Sequence, residues 1–506
     1  MKRDDIIARD GSTFPGKSYT TAVLRPAYDE AKAVLLPSMI QIHRAHLLML
    51  HSVGLINDAD AATIAGTIDG LDLDAIAASQ YTGEYEDLFF TVESQMLTQG
   101  GDAVGNLHIA RSRNDMGMCL YRMIMRHQLL RVLAAAGELY ETLVRLAAEH
   151  SETLTLEHTH TQPAQPSILG HRFLAIADVL GRDIERVQSA YASLDFSPMG
   201  AAALTGTGFG IDREFTAELL GFRGLVENSY DAVASTDYIA QSATALQLMA
   251  IDTGRSCVDF LAWCTEEFGL YKVASPYVQM SSIMPQKRNP VSIEHSRSLL
   301  SAASASAATV LTMMHNTPFG DIVDTEDDLQ PYIWRSASVL TNVLHLLSGV
   351  LGTIEVNVEV MRERALSSFA TATELADTLV REAGCTFKEA HTVVSRVVQS
   401  AAAQGVRDVR EVHAADVMAT AHDVCGGRVD ISEDSVRLAL NADHFVQIRT
   451  SRGGVAPSEV ARMAVDRGQR AEEFAGWYRT TAEHLDGVAE RLVRDCEALS
   501  GGTERT

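Results

Sequence analysis

A short polar segment of the chain, residues 277–294, groups the side chains with the clearest chemical potential. It contains two hydroxyls, a cation and an amide, namely Ser281, Ser282, Lys287 and Asn289. Two prolines flank the cation and disfavour regular structure there, so we predict a loop. Removing a proton from a carbon beside a carboxylate requires a base, with positive charge and hydrogen-bond donors where negative charge develops. Taken alone, a pair of loop serines is more typical of solvated surface, so the assignment depends on other parts of the chain.

Two further polar stretches accompany this loop. Residues 111–115 read RSRND, and residues 159–166 read THTQPAQP. The three stretches, in this order, resemble the signature regions of the fumarase/aspartase superfamily. The likeness is greatest to the argininosuccinate lyase family, and it continues through segments elsewhere in the chain: 210–222, 228–233, 372–380 and 453–457. It extends from about residue 45 to about residue 463.

The elements that must position these motifs are predicted to be long helices. Apolar residues recur at helical spacing over five stretches: 115–150, 167–195, 235–268, 291–315 and 331–362. Parts of these helices, such as 301–308, carry small or apolar residues on nearly every face, so they must be buried. Five helices do not bury one another completely, which favours an oligomeric helical bundle.

We therefore predict an all-α protein of three parts: an N-terminal helical domain (1–111), a central domain of long helices (112–364) and a small C-terminal helical domain (365–506). The resemblance implies the fumarase/aspartase fold. It also implies a homotetramer with a twenty-helix core, in which each active site takes its three signature regions from three different subunits.

Composition excludes several classes of function. The formal net charge of −24 argues against general binding to nucleic acid or to anionic membranes, since both require basic surface. The six cysteines are scattered without a CxxC pair, which is typical of reduced thiols in a cytoplasmic protein. The sequence shows no signal peptide and no membrane span. His158 and His160 without further ligands do not indicate a metal site, and we expect no cofactor.

The resemblance assigns catalytic roles to four residues. Ser281 corresponds to the base, and Lys287 would stabilise its oxyanion once the loop closes. His160 corresponds to the proton donor or relay to the departing nitrogen, and Glu294 to the carboxylate that orients this histidine. A structural pair of His160 and Glu294 remains the alternative.

The resemblance also implies a substrate-binding set: Ser112, Arg113, Asn114, Thr159, Gln165, Ser282 and Asn289. The first three precede a long helix, whose amino-terminal amides and dipole favour an anion. Arg113 has a second interpretation, as a bridge between subunits. Asp115 is better explained as a helix cap.

The sequence departs from the family where the leaving amine is bound. Argininosuccinate lyases usually carry a tyrosine, a glutamine and a lysine in the segment matching 318–329, and this chain has Asp321, Glu326 and Leu329. Val291 also replaces a usual aspartate. A separate departure lies in the catalytic loop, where Met280 replaces the usual glycine before the serine pair. We hypothesise that the acids Asp321 and Glu326 bind a leaving amine that is more cationic or less carboxylated than arginine. A solvated acidic surface is the alternative.

The family also usually has a histidine near Phe89, which is absent here. The sequence nevertheless predicts a lyase that eliminates fumarate from an N-substituted aspartate, with argininosuccinate, an intermediate of arginine biosynthesis, as the leading substrate. Another N-succinyl amine, such as a diamine or aminopolycarboxylate derivative, is the alternative substrate. A non-catalytic structural relative is the alternative class, and the intact loop residues argue against it.

Overall fold

The computed structural model describes residues 2–427 and 429–501. Its amino-terminal part consists of short helices: α1 (Arg3–Asp10), α2 (Lys17–Tyr19), α3 (Arg25–Val34), α4 (Leu36–Ser52), α5 (Asp58–Asp69), α6 (Leu73–Ala78), α7 (Leu88–Gly100) and α8 (Asp102–Gly105). Side-chain caps fix several of their starts: the oxygen of Asn57 accepts from Asp60 N (2.9 Å), and Asp87 accepts from Phe90 N (2.9 Å).

The central part contains long helices joined by short strands and loops. Its elements are α9 (Arg113–Glu149), β1 (Leu154–Thr159), β2 (Gln162–Ile168), α10 (Leu169–Leu194), α11 (Arg213–Leu219), α12 (Ser229–Ala234), α13 (Asp237–Trp263), β3 (Tyr271–Lys272), β4 (Gln279–Met280), β5 (Arg288–Asn289), α14 (Val291–Met314), α15 (Gln330–Gly352) and β6 (Glu355–Val356). Each sheet in the described residues is a single antiparallel pair: β1 with β2, β3 with β6, and β4 with β5.

The five predicted long helices are confirmed, with one boundary error. The last stretch, predicted over 331–362, breaks after Gly352. There β6 pairs with β3, and the side chain of Asn357 then caps the next helix by accepting from Val360 N (3.4 Å). Helical spacing of apolar residues continued across this break, because both flanking segments bury one face.

The long helices run antiparallel in succession, so the bundle has two distinct ends. At one end, which we call the Ser112 end, Arg122 of α9 donates to Leu194 O at the close of α10 (3.4 Å). At the other, the Ser281 end, Arg145 of α9 donates to Gly352 O at the close of α15 (3.2 Å). Since α9 has 37 residues, these ends are about 55 Å apart.

The carboxyl-terminal part consists of α16 (Val358–Ser367), α17 (Ala372–Ala383), α18 (Phe387–Ala403), α19 (Ala414–Cys425), α20 (Glu433–Ala439), α21 (Ala442–Gln447) and α22 (Pro457–Ser500). Helices α17 to α20 enclose a small core of their own. Helix α22, with 44 residues, packs instead along α9, α4 and α5 and adds Phe474 and Leu492 to the main core. The sequence predicted shorter segments here and did not predict α22.

This packing favours assigning 457–500 to the main body of the molecule. The boundaries 1–111, 112–364 and 365–506 otherwise stay a prediction, and residue 1 and residues 502–506 lie outside the described part. Among the described residues, no single helix is long and apolar enough to cross a membrane. One pair bent by 70°, 17–34 with 36–52, has the necessary length and composition when taken together.

Candidate active site

The first signature motif forms the start of α9. The Ser112 hydroxyl accepts from Asn114 N (3.3 Å), and Asp115 accepts from Ser112 N (3.0 Å), which together make a capping box. The other carboxylate oxygen of Asp115 accepts from the amides of Gly200 (3.0 Å) and Ala202 (2.9 Å). Asp115 is fully buried, and this burial raises its pKa to about 6. As the sequence indicated, Asp115 fixes the backbone and is not placed for chemistry.

The two residues after the cap point into polar contacts. Arg113 donates to Asp87 (2.6 Å) and stacks on the ring of Phe90, 4.7 Å from its centroid. Asn114 Nδ2 donates to Asp321 Oδ2 (2.5 Å). The ion pair of Arg113 lies within its own chain, and the interpretation of Arg113 as a subunit bridge stays a prediction.

The acids of the 315–329 loop therefore lie against the first motif. Glu326 is hydrogen-bonded to Asp321. Burial, followed by this contact and by the charges of Asp321 and Asp327, raises the pKa of Glu326 to about 8, whereas Arg113 opposes the rise. The predicted binding residues Asp321 and Glu326 are thus brought to Asn114 by the fold.

A buried basic cluster supports this motif from behind. Arg111 is buried, donates to His43 Nδ1 (2.9 Å) and lies over the Phe89 ring at 5.7 Å. His46 is buried too, with Nε2 2.8 Å from Ile109 O, as expected for a packed histidine. Burial, followed by the charge of Arg111, lowers the pKa of both histidines, to about 3 for His46. Both histidines are therefore neutral at pH 7.

The second motif forms the turn of the β1–β2 hairpin, at the Ser281 end. Its turn residues His160 and Thr161 have φ of 51° and 63°, which is the left-handed conformation. This conformation is unusual for Thr161, because threonine is β-branched. The turn holds the His160 ring at the exposed tip of the hairpin, and Thr159 is exposed beside it. Gln165, on the returning strand, donates to the Thr373 hydroxyl (3.2 Å).

The third motif is a loop between the paired strands β4 and β5. The Ser281 hydroxyl accepts from the amides of Met284 (3.1 Å) and Ile283 (3.4 Å). Asn289 donates to Gln279 O (3.1 Å) and closes the base of the loop. Ile283 is 83% exposed at the tip, so the loop carries an apolar group in solvent. The sequence predicts that amides of this loop, with Lys287, stabilise the Ser281 oxyanion, but it does not say which amides, because backbone donors leave no residue-type signal.

The predicted pairing of His160 with Glu294 is not formed within the chain. Glu294 lies in the first turn of α14, and neither side chain has a hydrogen-bond partner or ion pair among the described residues. The resemblance places these two residues on different subunits, so their pairing remains a prediction. Asp87, the partner of Arg113, was missed as a site residue although the acidic pair at 86–87 was visible in the sequence.

The predicted site residues thus fall into two groups. At the Ser112 end are Ser112, Arg113, Asn114, Asp321 and Glu326; at the Ser281 end are Thr159, His160, Gln165, Ser281, Ser282, Lys287, Asn289 and Glu294. No cluster of histidine, cysteine, aspartate and glutamate suited to a metal occurs among the described residues.

Comparison with known proteins identifies the family. The lyase family model matches residues 84–303, and the model for the argininosuccinate lyase C-terminal region matches 369–447. Argininosuccinate lyase 2 of Agrobacterium fabrum is 39% identical over 497 residues, which are 97% of this chain and 98% of the relative. The chain belongs to the argininosuccinate lyase family. It is accordingly a carbon–nitrogen lyase, as the sequence predicted.

Other relatives agree with this lyase assignment. Argininosuccinate lyase of Methanothrix thermoacetophila is 35% identical, covering 90% of this chain and 91% of its own length. Among solved structures, EDDS lyase in complex with formate is 29% identical, with a TM-score of 0.87 and full coverage of both chains. A class II fumarase from Schistosoma mansoni, 14% identical with a TM-score of 0.67, shares the fold. The predicted all-α, fumarase/aspartase-like fold is confirmed.

Proposed function

We propose that this lyase cleaves argininosuccinate to arginine and fumarate. The observation that carries the proposal is the 39% identity to argininosuccinate lyase 2 of Agrobacterium fabrum across 97% of the chain. The presence of all three signature motifs in the same chain supports it.

In the proposed reaction, Ser281 removes a proton from the succinyl carbon next to a carboxylate, the C–N bond breaks, and a C=C bond forms in fumarate. The amides of Ile283 and Met284 already donate to the Ser281 oxygen, and such donors favour its ionised form. Lys287 adds positive charge from the same loop. His160 delivers a proton to the departing nitrogen, oriented by Glu294.

The substrate carboxylates would be bound by hydroxyl and amide groups from both ends of the bundle. Ser112 and Asn114 contribute at the start of α9, where the helix dipole favours an anion. Thr159, Ser282 and Asn289 contribute from the hairpin and the loop, with Gln165 as a polar neighbour.

We further propose that the enzyme is a cytoplasmic homotetramer whose active sites are shared between subunits. The separation of about 55 Å between the two ends of α9 supports sharing, because one chain does not bring the first motif to the other two. Exposed apolar side chains on α13, including Leu248, Ile251 and Val258, support burial of that face in an assembly.

A second candidate substrate is a different N-substituted aspartate, such as an N-succinyl diamine or an aminopolycarboxylate. Two observations favour it: the acids Asp321 and Glu326 beside Asn114, and the likeness over the full chain to EDDS lyase.

The test is fumarate release, followed by ultraviolet absorbance, from purified protein given argininosuccinate. We expect rapid release that Ser281→Ala reduces by about a thousandfold or more. Ser282→Ala, the neighbouring hydroxyl, should retain far more activity. No release from argininosuccinate, with fumarate consumed in the reverse direction by another amine, would replace the first candidate by the second. No reaction with any amine would contradict both.

A further inference from the structure

The fold brings two cysteines of the small carboxyl-terminal core into direct contact. Cys385 lies two residues beyond the end of α17, Cys425 is the last residue of α19, and their Sγ atoms are 3.0 Å apart. The two residues are 40 positions apart in the sequence, so their spacing does not reveal the pair. Heavy atoms without a bond usually lie about 3.5–4.0 Å apart. The two sulfur atoms are therefore closer than in an ordinary contact, and about 1 Å farther apart than in a disulfide.

The backbone beside both cysteines can accommodate this remaining distance. Gly384 (φ 68°) precedes Cys385, and Gly426 (φ 65°) and Gly427 (φ 74°) follow Cys425. All three glycines are exposed, and a Cβ added at Gly384 or at Gly426 would meet no atom within 4 Å. Both cysteines are thus next to open helix ends, where glycine allows the backbone to adjust at low cost.

Both thiols lie just beneath the surface of the small core. The exposed fraction is 5% for Cys385 and 2% for Cys425. Their neighbours Gly384, Thr386 and Gly426 are exposed. A molecule as small as hydrogen peroxide therefore needs only a local opening of a helix end to reach either sulfur atom.

The other four cysteines are less suited to oxidation. They are Cys119, Cys257, Cys264 and Cys496, and all four pack in or against the main core. Burial raises the pKa of each of these thiols, to about 12 for Cys257, Cys264 and Cys496. They stay protonated at pH 7, and a protonated thiol is a poor nucleophile.

We propose that Cys385 and Cys425 form a reversible disulfide when the protein meets a hydroperoxide. One thiolate attacks hydrogen peroxide, which gives a sulfenic acid and hydroxide, and the hydroxide takes up a thiol proton to become water. The second sulfur then attacks the sulfenic sulfur, an S–S bond forms, and a second water leaves. Two thiols and one peroxide thus give one disulfide and two waters, with each sulfur oxidised and each peroxide oxygen reduced by one electron. A thiol reductant opens the bond by exchange.

The disulfide would join the carboxyl-terminal ends of α17 and α19. These helices belong to a core separate from the main one, and a crosslink stabilises such a core against local opening. The start of α17 contacts the hairpin of the second motif, since Gln165 donates to the Thr373 hydroxyl (3.2 Å). The stabilised segment is therefore the one that supports the returning strand of this hairpin. Formation of the disulfide does not depend on which substrate the enzyme cleaves.

The test treats the purified full chain with hydrogen peroxide, alkylates the remaining thiols in denaturant, and maps disulfides by mass spectrometry of unreduced peptides. We expect Cys385 to be linked to Cys425 within one chain, two fewer titratable thiols, and recovery of both thiols in dithiothreitol. Retention of both thiols would overturn the proposal. So would oxidation of either cysteine to a sulfinic acid without a crosslink, or a crosslink that joins other cysteines instead.

Two variants locate the effect. Cys425→Ala should form no crosslink, whereas Cys264→Ala, which removes a partly exposed cysteine outside the pair, should form it as the wild type does. In hydrogen exchange, oxidation should slow the amides of α17 and α19 by about tenfold or more in the wild type and leave them unchanged in Cys425→Ala. Equal exchange before and after oxidation of the wild type would overturn the stabilisation of the small core. The wild-type peptide map needs no variant, so it decides the proposal whether or not Cys425→Ala folds.

Discussion

Mixing two inactive variants tests whether the two ends of the bundle meet in one site. Asn114→Ala damages the Ser112 end, and Ser281→Ala damages the Ser281 end. Each variant alone should lose about a hundredfold or more of its activity, since each lacks a group that is proposed to bind or deprotonate the substrate. The ends lie about 55 Å apart in one chain, so a site with both ends intact must take them from different copies.

The recovery in a mixture can be worked out from this separation. With equal amounts of both chains and random assembly, a site has an intact Ser112 end in half of cases. It also has an intact Ser281 loop in half of those. Co-expression should therefore restore about a quarter of wild-type activity. The assay is fumarate release from co-expressed, differently tagged chains, with chain ratios measured by mass spectrometry.

Two controls sharpen the result. A mixture of Asn114→Ala chains with Ser112→Ala chains should recover no activity, because the Ser112 end is damaged in every copy. His160→Ala with Ser281→Ala should again recover about a quarter if the hairpin and the loop come from different copies. Activity of the first mixture no higher than the mean of its two components would refute the reasoning.

Three further predictions concern pH and stability. The pKa of Glu326 is raised to about 8 in the folded state, so between about pH 4.5 and 8 the folded state binds more protons than the unfolded chain. The stability of the wild type should therefore fall as pH rises through this range. Glu326→Gln should flatten this pH dependence in thermal melts, and an unchanged slope would contradict the pKa shift. Gly170→Ala should lower the free energy of unfolding in urea by about 1–3 kcal/mol, since a Cβ would lie 2.4 Å from a carbonyl oxygen at the end of α9. The control Gly476→Ala has open space around the new methyl group and should raise the free energy of unfolding by about 0.5–1 kcal/mol. Arg126→Leu should lower the free energy of unfolding by about 3–5 kcal/mol, because the Arg126 side chain is 1% exposed and its guanidinium donates to two backbone carbonyls and a carboxylate. A loss below 1 kcal/mol in the same assay would refute this.

The long helices were predictable because burial requires apolar residues at helical spacing. Nine of their ten ends lie within five residues of the predicted positions, and the exception is the carboxyl-terminal end of α15. Helix α22 was not predicted, because charged residues cover much of its surface and only a narrow stripe, including Val460 and Phe474, enters the core. The amphipathic pattern of α22 resembles that of the short helices before it. The sequence pattern therefore did not indicate that α22 is much longer than they are.

The residue types of the candidate site were predictable from the sequence, whereas the contacts between those residues were not. The polar motifs and the departure at Asp321 and Glu326 were visible in the sequence. The bond from Asn114 to Asp321 was not, since it joins distant segments through the antiparallel order of the helices. Nor did residue types reveal the left-handed backbone at His160 and Thr161, because neither is a glycine.

Under the proposed sharing of active sites, the length of α9 makes catalysis depend on association of the chains as well as on folding. A single folded copy would then hold only part of the required groups, and specific activity would follow the concentration of assembled enzyme. Dilution towards the dissociation constant should lower the turnover per chain, and a substrate that bridges two copies should oppose that loss. During refolding, enzymatic activity should therefore return later than helical structure, and this lag should shorten as the protein concentration rises.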